Sequence, residues 1–163
     1  MKIARIDTTA VTVPLDEPIG SALGQIRGFG CILVRVRGDT GVVGENLIFT
    51  LNDRRTKVLV QMVEELGELL IGRDAGHIAE FWARAWKDIN FLGHKGVPVV
   101  GISALDGALW DALGKTAGLP LYVSSAALGR AFPRTIAAAC GSHIQWTSSS
   151  PRRNASLPPA SRP

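Results

Sequence analysis

Residues 101–122 read GISALDGALWDALGKTAGLPLY, and the fold turns on how this stretch packs. Ile102, Leu105, Leu109 and Leu113 recur at helical spacing, and Ala108, Ala112 and Trp110 widen the apolar surface. Gly101, Ala104, Gly107 and Gly114 are small, which lets a neighbouring element come close. Gly118 and Pro120 stop the helix, which is predicted over about 98–117. Asp106 and Asp111 are five residues apart, so on a helix they point about 140° away from each other. They cannot share a metal ion or a proton, and capping or ion pairing is the reading they support.

Working outward from this helix, FLGHKGVP (91–98) is a Gly-rich connection. A helix is predicted over about 77–90, with Ile78, Phe81, Trp82, Ala85 and Trp86 on one side. Another covers 54–71, where Val58, Met62, Leu66 and Leu69, with Leu59, Val63 and Leu70, form a broad stripe closed by Gly72. Upstream the period changes to two. VVGENLIF (42–49) and FGCILVRVRG (29–38) read as strands joined by the GDTG turn, with Ile32, Val34 and Val36 facing away from Leu33, Arg35 and Arg37. Residues 2–13 form a first strand ended by Pro14, and the Pro- and Gly-rich segment 14–28 is predicted as a long loop. Strands followed by helices make an α+β domain: a three-stranded antiparallel meander, then a three-helix bundle.

The pI near 9.5 suggests a nucleic-acid partner until the charge is located. Residues 124–163 hold five arginines and no Asp, Glu or Lys, leaving thirteen basic and fourteen acidic residues in 1–123. The body is nearly neutral, so a basic face for nucleic acid is not supported. No 18-residue apolar run is evident, so no membrane span is predicted. The N-terminus resembles neither a signal nor a transit peptide, and two cysteines, Cys31 and Cys140, make no disulfide framework, so a cytoplasmic location is expected. No phosphate-binding loop, nucleophile elbow, H-E-x-x-H or zinc-type Cys/His spacing is present.

Residues 101–122 closely resemble the end of the N-terminal capping domain of the enolase superfamily, in its mandelate racemase and muconate lactonizing branch. That branch carries A-x-D-x-A-L-W-D-x-x-G-K followed by G-x-P-L, matched by Ala104, Asp106, Ala108, Leu109, Trp110, Asp111, Gly114, Lys115, Gly118, Pro120 and Leu121. GVVGENLIF (41–49) resembles the branch's third strand, and the order of elements agrees over about 1–123. The resemblance implies a parent enzyme that uses Mg²⁺ to remove a proton α to a carboxylate, as an acid-sugar dehydratase or a racemase does. It places the metal ligands and bases in a following (β/α)-barrel. This chain would then bind no cofactor, take a small carboxylate only together with a barrel, and be inactive alone.

The resemblance assigns substrate selection to loops at about 15–28 and 45–54, with Ile19, Ser21, Leu23, Glu45 and Phe49 as substrate-facing candidates. His94 and Lys95 join them if the Gly-rich loop approaches the domain interface, and are solvated otherwise. His77 reads as a surface or capping residue, and His143 receives no role. A bare third helix would leave apolar surface exposed, so self-association is expected.

After Val123 the pattern stops: SSAALGRAFPRTIAAACG (124–141) replaces the family's L-L-G-G and first barrel strand. Codons formed across the junctions of 123–127 admit L-L-G-G, and those of 131–141 admit V-P-A-Y-D-S-G-G-L-W. A shifted reading frame is therefore expected, with 124–163 a largely disordered, out-of-frame basic tail. The alternative is a non-enzymatic binding module with a genuine basic arm.

Overall fold

The computed structural model describes residues 1–22, 24–121 and 123. Three strands, β1 (Ile3–Ser21), β2 (Gly24–Gly38) and β3 (Val43–Leu51), form an antiparallel sheet in the order β1-β2-β3. Three helices follow: α1 (Thr56–Glu68), α2 (Ile78–Asp88) with a short 3₁₀ turn at Ile89–Phe91, and α3 (Val97–Ala117). This is the predicted meander followed by helices. The tail expected at 124–163 lies outside the described residues.

The helices cover one face of the sheet. Ile32, Val34 and Val36 alternate along β2 and are wholly buried. Against them pack Leu59, Val63 and Leu66 of α1 and Ile102, Leu105, Ala108 and Leu109 of α3, and Phe81 and Ala85 of α2 extend the same core on the α3 side. Burying a side chain such as Leu105 contributes roughly 2 kcal/mol. The predicted α1 stripe is rotated slightly, since Val58 is half exposed while Leu59 and Leu70 are buried. The approach of α3 to β3 depends on glycine. A Cβ on Gly44 would overlap the Ala108 carbonyl and Ala112, and one on Gly107 would overlap the Asn46 amide.

Three expectations are corrected. The long loop at 14–28 is instead a continuation of the β1–β2 hairpin. β1 is an edge strand, where a proline costs no ladder bond, and within this segment the register shifts between Pro14 and Ile19. It then resumes as Ile19 with Ile26, Gly20 with Gln25 and Ser21 with Gly24. Second, α1 starts at Thr56 rather than 54, because Asn52, Asp53 and Arg55 take left-handed backbone angles (φ 53°, 55° and 68°). Third, the exposed apolar surface is not centred on α3, whose Pro98, Ile102, Leu105 and Leu109 are buried. One set of exposed apolar side chains lies on the outer face of the sheet, Val11, Val13, Leu47, Phe49 and Leu51, and Phe91 and Leu92 stand exposed after α2.

By length and composition α3 is apolar enough to span a membrane, with a mean hydropathy of 1.2 over its most apolar window. The sequence reading missed this because Asp106 and Asp111 interrupt the apolar run, whereas an average over the window absorbs them. Half of that window is buried within the domain, against the sheet and α1.

Candidate functional site

The residues that carry the family motif act as fasteners. Lys115 Nζ lies 2.6 Å from Asp111 Oδ2 and donates to the Val43 carbonyl at 2.9 Å. Asp111 in turn accepts from the Glu45 backbone N–H at 2.8 Å, capping a free donor on the sheet edge. Asn46 donates to the Ala104 carbonyl at 3.0 Å. Asp106 accepts from Trp82 Nε1 at 2.8 Å, tying α3 to α2. Burial pushes the Asp106 carboxyl above the usual carboxylate range, against hydrogen bonds from Trp82 and Trp110 that pull it down. The two motif aspartates therefore serve separate neighbours.

Glu45 belongs to this framework. Sequence reading put it in a substrate loop at about 45–54, but it stands near the start of β3, opposite Arg35. Its carboxylate accepts from Arg35 Nε at 2.9 Å and lies 3.7 Å from Lys115 Nζ. The Arg35 hydrogen bond, ahead of the Lys115 charge, holds Glu45 below the usual carboxylate range. Such a group stays ionised and is a weak proton acceptor.

The other end of β3 is different. Register aligns three apolar rows on the outer face: Thr9–Leu33–Leu47, Val11–Cys31–Phe49 and Val13–Phe29–Leu51. Phe49 is 64% exposed and meets Phe29 edge-on, with ring centroids 5.8 Å apart. These rows lead to the hairpin tip, where Ile19 is 51% exposed. Ser21 ends β1 opposite Gly24, and Leu23 lies outside the described residues.

The turn after β3 is joined to this tip by one side chain. Asn52 Oδ1 accepts from the Arg27 backbone N–H at 2.6 Å, and Asn52 Nδ2 donates to the Gln25 carbonyl at 2.9 Å. Its own N–H donates to the Gly28 carbonyl at 2.9 Å. Beneath the turn, Thr50 and Thr56 hydroxyls meet at 2.8 Å. Gly30 leaves the space they need, since a Cβ there would overlap Thr50, Asp53 and Thr56.

Sequence reasoning missed Asn52 and Gly30. The signal was the NDRR run (52–55) directly after a strand, because Asn and Asp tolerate left-handed angles better than most residues. His94 is drawn elsewhere. Its ring stacks on Trp86 with centroids 4.2 Å apart, and Nε2 lies 2.9 Å from the Trp86 carbonyl. Ile19 and Ser21 thus stand in the hairpin tip, Phe49 lies opposite Cys31 in the main sheet, and His94 is held against α2. Lys95 forms no ion pair among the described residues.

The hairpin end of the sheet offers an apolar wall, backbone polar groups and the exposed charged residues Asp53, Arg54 and Arg55. Among the described residues no three His, Cys, Asp or Glu side chains come together as a metal-ligand set. They do not fit a Mg²⁺ site, and no chemical step is routed through the ion in this domain.

Residues 4–123 match the family model described as mandelate racemase / muconate lactonizing enzyme, N-terminal domain. The chain is 31% identical over 121 residues to a 3,6-anhydro-α-L-galactonate cycloisomerase of Streptomyces coelicolor, covering 74% of this chain and 34% of that protein. It is 40% identical over 96 residues to a D-mannonate dehydratase of Xanthomonas oryzae pv. oryzicola, covering 59% of this chain and 22% of that protein. A solved enolase from Bradyrhizobium, complexed with magnesium and mandelic acid, superposes with a TM-score of 0.68 at 29% identity. That match covers 87% of this chain and 43% of the other. The chain thus spans about a third or less of the length of these two curated relatives.

Proposed function

The chain belongs to the mandelate racemase/muconate lactonizing enzyme family, whose N-terminal domain it carries at residues 4–123, and from that premise we propose that it is the substrate cap of a Mg²⁺-dependent enzyme acting on a small carboxylate. The preferred subtype is an acid-sugar dehydratase or a racemase. The observation that carries this reading is the meeting of the hairpin tip (19–26) and the 52–55 turn beside exposed Phe49, Leu51 and Val13. An apolar wall with a few directed backbone groups suits closing over a bound substrate and excluding water. Metal ligands and bases come from a barrel, so the 163-residue chain is inactive alone.

Two further parts of the proposal concern the chain as a whole. The barrel continues in the reading frame admitted by the codon junctions of 123–141, which the nucleotide sequence across codons 115–163 and beyond decides. A barrel-like frame there sustains the reading, and its absence makes the basic arm genuine. Without a barrel, the chain self-associates through the outer face of the sheet in a reducing cytoplasm; light scattering that gives a monomer at all concentrations overturns this.

The direct test joins residues 1–123 to the barrel of the Xanthomonas dehydratase and assays dehydration of D-mannonate with Mg²⁺. The fusion should turn over while the barrel alone and the 163-residue chain do not. An inactive, correctly folded fusion contradicts the assignment.

A further inference from the structure

The geometry points to Asn52 as a positioning residue that makes the hairpin tip and the β3–α1 turn move as one body. Beyond Pro14 the tip is set off from the main sheet by a register shift, and among the described residues its strands pair as Ile19 with Ile26, Gly20 with Gln25 and Ser21 with Gly24. The tip therefore has little of its own to fix its angle to the sheet. The turn is constrained in the opposite sense, since Asn52, Asp53 and Arg55 are all left-handed. Asn and Asp accept such angles at little cost, whereas Arg55 occupies one only where its surroundings hold it.

Asn52 supplies that hold and transmits it. Its amide reaches a donor and an acceptor two residues apart on β2, the Arg27 N–H and the Gln25 carbonyl. Its backbone N–H closes the third bond, to Gly28. An asparagine side chain satisfies both groups at once because it presents an acceptor and a donor on one planar head. Aspartate keeps only the acceptor, and glycine keeps only the backbone angle. With the turn anchored below by Thr50 and Thr56, a displacement of the tip pulls on residues 52–55, and the reverse also holds.

The consequence for catalysis rests on the reading of these segments as a substrate cap, whereas the coupling does not. A cap made of two independent loops pays to order each one on binding. A cap already joined is preorganised and loses less freedom when it closes.

The test uses the 163-residue chain and backbone amide NMR. Ile19→Ala, which trims the tip and touches nothing in the turn by sequence, is introduced into the parent and into Asn52→Gly. In the parent it should shift the amides of Asp53, Arg54 and Arg55. In Asn52→Gly that shift should shrink by about threefold or more, and the Arg27 amide should exchange about tenfold faster. Asn52→Asp should keep much of the Arg27 protection and lose part of the transmitted shift, a graded rescue that simple destabilisation would not produce. Unchanged signals from Val34 and Leu105 show that the variants fold, and Asn52→Asp carries the test if the glycine variant does not. Equal shifts in parent and glycine backgrounds, or none in the parent, overturn the coupling. That failure would leave the dehydratase fusion active, and an inactive fusion would leave these shifts intact, so the two readings fail separately.

Discussion

At its start β3 is fastened to α3 by Lys115, Asp111 and Asn46 and by the missing side chain of Gly44, whereas at its end Phe49 and Leu51 stand exposed and the chain enters three left-handed residues. Two halves of one strand thus serve different ends. The first spends its polar groups on holding the helix in place, which leaves Glu45 ionised and occupied. The second leaves apolar surface uncovered and holds a strained turn in position through Asn52. The residues that make the family visible are mostly on α3, which is fastened to the first half. The residues placed to meet a substrate are in the second, where no dense motif marks them.

Substitutions at either end should break this contrast unequally. The largest effect belongs to Gly44→Ala, because the new methyl meets helix backbone that cannot turn aside. A loss of about 3 kcal/mol in urea unfolding is expected, and a loss below a tenth of that would show that α3 shifts freely. Gly30→Ala should cost less, about 2 kcal/mol, since it meets the side chains of Thr50, Asp53 and Thr56. Its damage should appear as faster amide exchange across 52–56, with the Gly44 end unaffected. Arg55→Gly works the other way. It relieves a left-handed angle of 68° and should stabilise the domain by about 1 kcal/mol; a lower melting temperature would mean that the Arg55 side chain does more than occupy the turn.

The smallest effect concerns Asp106. Its folded pKa is raised, so the stability gained from the neutral carboxyl is present below the unfolded value and is lost as pH rises through the folded one. Asp106→Asn retains an acceptor for Trp82 and avoids the buried charge. The variant should therefore gain on the parent as pH rises from about 3 to about 7. A melting-temperature difference that is flat across this range would show that the carboxyl titrates as though it were exposed.

Legibility followed the same division. The α3 pattern was readable because large and small residues alternate at helical spacing, and the inner face of β2 because Ile32, Val34 and Val36 recur every second position. The hairpin tip was misread as a loop: Pro14 and Pro18 argue against a strand unless the strand is known to lie at an edge, which only the sheet order reveals. Glu45 was placed in a substrate loop because a short motif fixes identity and leaves strand length open. His94 looked like a candidate for the site from its glycine-rich loop, yet its stacking on Trp86 depends on a tertiary contact that spacing does not encode. Asn52 escaped notice because a single asparagine after a strand is common, and its role comes from carbonyl and amide groups some 25 residues away.

The most direct measurement is kcat/KM for two acid substrates of different length in the dehydratase fusion, with and without Phe49→Ala. If this end of the domain selects substrate, the variant should change the ratio between the two substrates by about tenfold while leaving the fusion's melting temperature nearly unchanged, as expected for a side chain that is 64% exposed. An unaltered ratio in an active fusion would contradict the account and place substrate selection away from Phe49 and the joined loops.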